Sequence, residues 1–256
     1  MKLKLRSWHW LVAYGISIYL LFLLINLPAN VVWSMAPESI QQSVNITNLH
    51  GNAWSSSADN IVINGYELGK ADWTLNPFLF FFGKLGGHMN VRQAFGQAEC
   101  GYSINSDQQI ELTDLNAEFS AAIIDPAIRP FMLEGVITSQ LDTLQVQARK
   151  LFQASGTLQW RDASITGVQD VSLGNLTFKA SPEAKGTRLQ VTNEGGLIEV
   201  SGDIRLAGNG RYNLNLLLSS RDNRNRDLKS MLAVLGRADA QGRVRFTQAG
   251  ILPGWQ

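Results

Sequence analysis

The sequence predicts a mainly β protein: one N-terminal transmembrane helix, then an elongated, largely antiparallel β-sheet domain with an internal repeat and a short late helix. Three observations predict it. One long uncharged apolar run stands near the N-terminus. Beyond it, apolar and polar residues alternate over short stretches with turn residues between them, the pattern of half-buried antiparallel strands. A pattern built on Gly and Trp then occurs twice.

Composition bounds the function. The chain has 256 residues, 45% of them hydrophobic and 17% charged, too apolar for a disordered chain and long enough for a core. Lys and Arg number 22 against 21 Asp and Glu, for a net charge of +1. That balance argues against holding a nucleic-acid backbone, which needs clustered cations. A single cysteine, Cys100, excludes an internal disulfide and a thiolate zinc site. His9, His50 and His88 leave little for metal or acid–base chemistry.

Taken in order, residues 1–9 read as a cytoplasmic N-terminus carrying Lys2, Lys4 and Arg6. No charge occurs from Ser7 to Pro37, and the apolar centre, 10–27, runs from Trp10 to Leu27. As a helix that centre would span about 27 Å at ~1.5 Å per residue, close to a hydrocarbon core of roughly 30 Å. Trp8, Trp10 and Tyr14 flank one end and Trp33 the other, as interfacial aromatics do. The positive-inside rule then puts the bulk of the chain across the membrane, which in a Gram-negative bacterium is the periplasm. A cleaved signal peptide is the rival reading, with Ser34-Met35-Ala36 as its cleavage site, although a signal core is usually only about 7–15 residues.

Residues 28–48 read as a periplasmic connector with a helical turn after Pro37, and 49–256 as the β domain, in halves of about 49–140 and 141–256. Alternation marks strands at Ile61–Ile63, Gln109–Thr113, Leu144–Ala148, Leu189–Thr192 and Tyr212–Leu218. Turns are expected at Asn64-Gly65, Gly86-Gly87, Gly195-Gly196, Gly208–Gly210 and Gln241-Gly242. A late helix is expected over Asp227–Gly236, N-capped by Asp227, with Leu228, Met231, Leu232 and Leu235 on one face and Gly236 at φ > 0.

The repeat aligns Gly51, Trp54, Gly69 and Trp73 with Gly156, Trp160, Gly174 and Phe178. These eight residues are the expected structural anchors of a duplicated β unit. Trp54, Trp73 and Trp160 could also suit a sugar, but aromatics anchor cores far more often. The stretch Asn76-Pro77 opens the run Phe78-Leu79-Phe80-Phe81-Phe82, which cannot hide on one face of a strand. Phe78, Phe80, Phe81 and Phe82 therefore form a candidate apolar contact surface for another element, a partner or lipid.

No nucleophile elbow, paired-histidine metal spacing or phosphate loop occurs. No catalytic residue, cofactor or metal is expected, and the protein reads as non-enzymatic.

Short pieces spread over essentially the whole length resemble one family. The basic start, the apolar run and the exit Leu27-Pro28-Ala29 come first. Gly51-Asn-Ala-Trp54, Leu68-Gly69 and Trp73-Thr-Leu-Asn-Pro77 come next, then Gly156-Thr-Leu-Gln-Trp160-Arg-Asp-Ala163, Leu235-Gly236, Gly242 and Gly250. In this order they resemble the type II secretion system protein N family, and the Trp54 and Trp73 pieces also resemble the AsmA-like group of inner-membrane-anchored β proteins. Ser55-Ser-Ser57 departs from the pattern, standing where a Gly is expected. The resemblance implies a single-pass inner-membrane accessory component that aids export of folded periplasmic proteins, with other type II secretion subunits as partners. The alternative it leaves open is an AsmA-like lipid-handling protein of outer-membrane biogenesis, with lipid as a further partner.

Overall fold

A computed structural model describes residues 5–63, 66–107, 109–124, 132–147, 151–167, 170–222 and 224–252. Helix α1 (Leu5–Ile25) opens it, followed by α2 (Ala29–Ser34) and α3 (Glu38–Ser43). Thirteen strands come next: β1 (Val44–Gly51), β2 (Ser55–Ile63), β3 (Tyr66–Leu75), β4 (Lys84–Gln93), β5 (Gly96–Asn105), β6 (Ile110–Ser120), β7 (Met132–Gln147), β8 (Leu151–Thr166), β9 (Val171–Glu183), β10 (Gly186–Glu194), β11 (Ile198–Ala207), β12 (Arg211–Ser220) and β13 (Val244–Ile251). A 3-10 helix, Pro77–Phe82, joins β3 to β4, and α4 (Arg226–Leu235) lies between β12 and β13.

The side chains of α1 are described from Trp10 onward, and every one from Trp10 to Asn26 is exposed. The helix stops where Asn26 turns its side-chain amide back to Phe22 O, 2.9 Å away, ahead of Pro28. The span expected over Trp10–Leu27 needs correction: the helix ends at Ile25, and among the described residues no helix is long and apolar enough to cross a membrane. The first four residues, Lys2 and Lys4 included, lie outside the described part, as does the turn expected at Asn64-Gly65.

All thirteen strands pair antiparallel in sequence order, a single open meander. Strand alternation sorts its two faces. One row of directly opposed residues runs Ala58, Ala71, Val91, Ala98, Ala117, Ser139, Leu158, Phe178, Val191, Gly202, Leu216 and Phe246 across β2 to β13. The neighbouring row runs Ser57, Asp72, Asn90, Glu99, Asn116, Gln140, Thr157, Lys179, Gln190, Asp203, Asn215 and Thr247, polar at every position. Successive side chains point to opposite faces, so the sheet has one apolar and one polar face.

Two clusters hold the apolar face. Ala58, Ile61, Ala71 and Val91 pack with Trp73 and Met89 at the β1 side. At the β13 side Leu228 and Leu232 of α4 join Ala163, Leu176, Val191, Ile198, Val200 and Val244 in one buried cluster. A folded chain of 28.2 kDa would expose roughly 11,000 Å², whereas this one exposes 17486 Å². Among the described residues the largest fully buried side chains are Val191 and Thr187. Globular domains normally close two layers over a core; among the described residues α4 packs as a second layer over the β13 end.

Several local expectations are corrected. Gly86-Gly87 is not a turn but lies within β4, where Gly87 pairs with Leu75 and Tyr102 and a Cβ on it would sit 1.7 Å from Thr74 O of the neighbouring strand. Strand structure begins at Val44, ahead of Leu49. The cap of α4 is Asn225, not Asp227: the Asn225 carboxamide oxygen accepts from Leu228 N at 3.0 Å. Leu235 is exposed rather than on the buried face, and Gly236 (φ 164°) is extended backbone, leading into the bridge between Ala238 and Val244. The turns at Gly195-Gly196, Gly208–Gly210 and Gln241-Gly242 are present.

Candidate interaction surface

Chemistry-bearing residues are scattered. His50 on β1 and His88 on β4 are exposed. Cys100 is buried on the apolar face opposite Met89, and burial pushes its thiol pKa up. Tyr102 shifts the same way, through burial first and then the nearby Cys100. Among the described residues no group of three or more His, Cys, Asp or Glu is arranged to hold a metal ion.

The repeat residues fall into two kinds. Gly69 on β3 (φ 76°) and Gly174 on β9 (φ 71°) occupy matching places, each opposite a register shift, at Ile61 and at Ala163. A Cβ would meet Arg92 O at 2.6 Å in the first and Glu194 O at 2.3 Å in the second, so each site combines a left-handed backbone with a close strand approach. Trp73 and Phe178 follow on the apolar face, opposed to Met89 and Val191. The other anchors do not coincide. Gly156 and Trp160 lie within β8, and Trp160 Nε1 donates to Glu134 O at 2.9 Å. Gly51 ends β1, and Trp54 precedes β2 with its Nε1 donating to Leu24 O of α1 at 2.9 Å.

That bond belongs to a strap between helix and sheet. Ala53 N donates to Leu27 O at 2.7 Å, and Pro28 forms an antiparallel bridge with Asn52. The Trp54 ring also meets Phe80 edge to face, with centroids 6.3 Å apart and planes at 79°. Phe80 lies in the 3-10 helix, which starts at an Asn76 cap (Oδ1 accepting from Phe78 N, 3.0 Å) and ends at a left-handed Gly83. The aromatic run is thus a turn of helix, and its rings at Phe78, Phe80, Phe81 and Phe82 are 70%, 48%, 85% and 78% exposed. The Trp54 contact could not be read from the sequence, since it depends on where α1 ends.

Residues 42–247, from just ahead of β1 into β13, match the family model described as type II secretion system (T2SS), protein N. The chain belongs to the type II secretion system protein N family. A curated relative, type II secretion system protein N of Vibrio cholerae, is 21% identical over 250 residues, covering 94% of this chain and 98% of that protein. No solved structure matches the chain. Family membership places the chain among secretion-system components, and neither comparison speaks for the AsmA-like grouping or for lipid handling.

Proposed function

We propose that this protein is a non-enzymatic accessory component of the type II secretion system that works from the inner membrane, its sheet presented on the periplasmic side to other subunits of the machine. Family membership supports the secretion role. The two-faced sheet supports the mode of action: an apolar face that crosses thirteen strands, covered among the described residues by α4 at one end, stays half-wet until another protein covers it. The stretch Trp10–Ile25 supports the location, being uncharged and exposed on every side, as a lipid-seeking helix is.

The test is photocrosslinking in cells that assemble the apparatus. A crosslinker at Leu112 or Leu144, directly opposed on the apolar face, should capture another secretion subunit. One at Gln140, in the polar row, should not. Equal capture from both faces, or none from the apolar one, would remove the proposed mode of action.

A further inference from the structure

The phenylalanine turn is an exposed apolar feature that the sheet does not use. We propose that Pro77–Phe82 is a second lipid contact, inserting its rings into the same membrane surface that receives the end of α1. The inference rests on the reading of α1 as the element that holds the chain at a membrane.

Continuity with α1 identifies the occupant. Trp54 is fixed to the last turn of that helix through Leu24 O and meets Phe80 through its ring edge, so one side chain links the helix end to the aromatic turn. The exit at Leu27-Pro28 is strapped to the same loop by Ala53 and Asn52. The turn therefore stands beside the end of α1 rather than at the far end of the sheet.

The chemistry fits a bilayer interface rather than water. No charge occurs from Trp73 to Gly83, and Lys84 follows at once. Phe81 and Phe82 are among the most exposed large apolar side chains described. Leaving such rings in water gains nothing for the fold, whereas a short aromatic element placed at a bilayer boundary buries them together. The Asn76 cap and the Gly83 turn hold the element in shape, and Asn76 N donates to Gly86 O of β4 at 2.8 Å. The rings are thus presented on a preformed support.

The experiment uses the full chain in vesicles of phosphatidylethanolamine and phosphatidylglycerol. In a Cys100→Ala background, Phe81→Cys carries an environment-sensitive fluorophore. A second variant carries it at Val234→Cys, on α4. Both probe sites are solvent-facing, so neither substitution threatens the fold. The expected result is that acyl-chain spin-labelled lipid quenches the Phe81 probe and iodide does not, with the probe about 5–10 Å inside the headgroup boundary. The Val234 probe should show the reverse. Free quenching by iodide at Phe81, in protein that still floats with the vesicles, would overturn the lipid contact and leave the α1 reading intact. Protein that does not float at all would overturn both. Protection from both quenchers would mean a protein covers the turn, and would overturn the inference too.

Discussion

Thr187 is 1% exposed, and its hydroxyl serves two backbone groups of β8, accepting from Ala154 N at 2.9 Å and donating to Phe152 O at 3.0 Å. The β8–β9 pairing stops at Gly156 and Ala180, before Pro182, a residue with no N–H for the ladder. Thr187 takes over, tying β10 directly to β8. Thr187→Val keeps the shape but strands the Ala154 N–H, and should cost about 1–3 kcal/mol in chemical unfolding, while Thr187→Ser should cost less. Pro182 was visible in the sequence, but the residue that compensates for it lies across two strands and left no local signal. Cys100 gives a pH prediction. Its thiol pKa is raised by burial, so the folded protein favours the protonated thiol. Its contribution is intact below the ordinary thiol range and is lost as the pH climbs through it toward the raised value. Alkaline destabilisation should therefore be shallower in Cys100→Ala, and a thiol reagent should label native protein far more slowly than urea-unfolded protein. Labelling at equal rates would contradict the buried site.

At the level of elements, period-two alternation made the strands legible, because one face of every strand meets apolar neighbours and the other meets water. The late helix was legible too, but its start and end were not. Asn225 outcompetes Asp227 as the cap because its carboxamide reaches Leu228 N, which the residue pattern alone does not rank. Leu232, 2% exposed, carries α4 onto the sheet. Leu232→Ala should cost about 2–5 kcal/mol, and hydrogen exchange should show α4 and the β11–β13 strands losing protection before the β1 side does. The matching glycines predict a further effect. Gly174→Ala places a Cβ 2.3 Å from Glu194 O in a left-handed residue, so a loss of about 1–3 kcal/mol or more is expected, and Gly69→Ala should act in the same direction. The repeat alignment singled out these two positions in the sequence. Their shared geometry became visible only with the register shifts opposite them, and the same alignment set Trp54 against Trp160 although they make different contacts.

For the whole molecule, the sequence announced a mainly β chain with a helix ahead of it. It could not announce that all thirteen strands would join one open sheet in chain order, since sandwich, barrel and meander share the same alternation. The candidate surface was half legible. Five consecutive apolar residues at 78–82 could not fit a strand, but their attachment to α1 through Trp54 is a long-range contact. An apolar face that the described residues cover at one end suits the protein to work within an assembly, in keeping with a role in secretion. The most direct measurement is the location of folded exoenzymes in a strain lacking this gene, with outer-membrane permeability scored in the same cultures. Exoenzymes held in the periplasm behind an intact outer membrane, and released again when the gene is restored, are the predicted result. Export at the parental level, with or without a leaky outer membrane, would contradict the account.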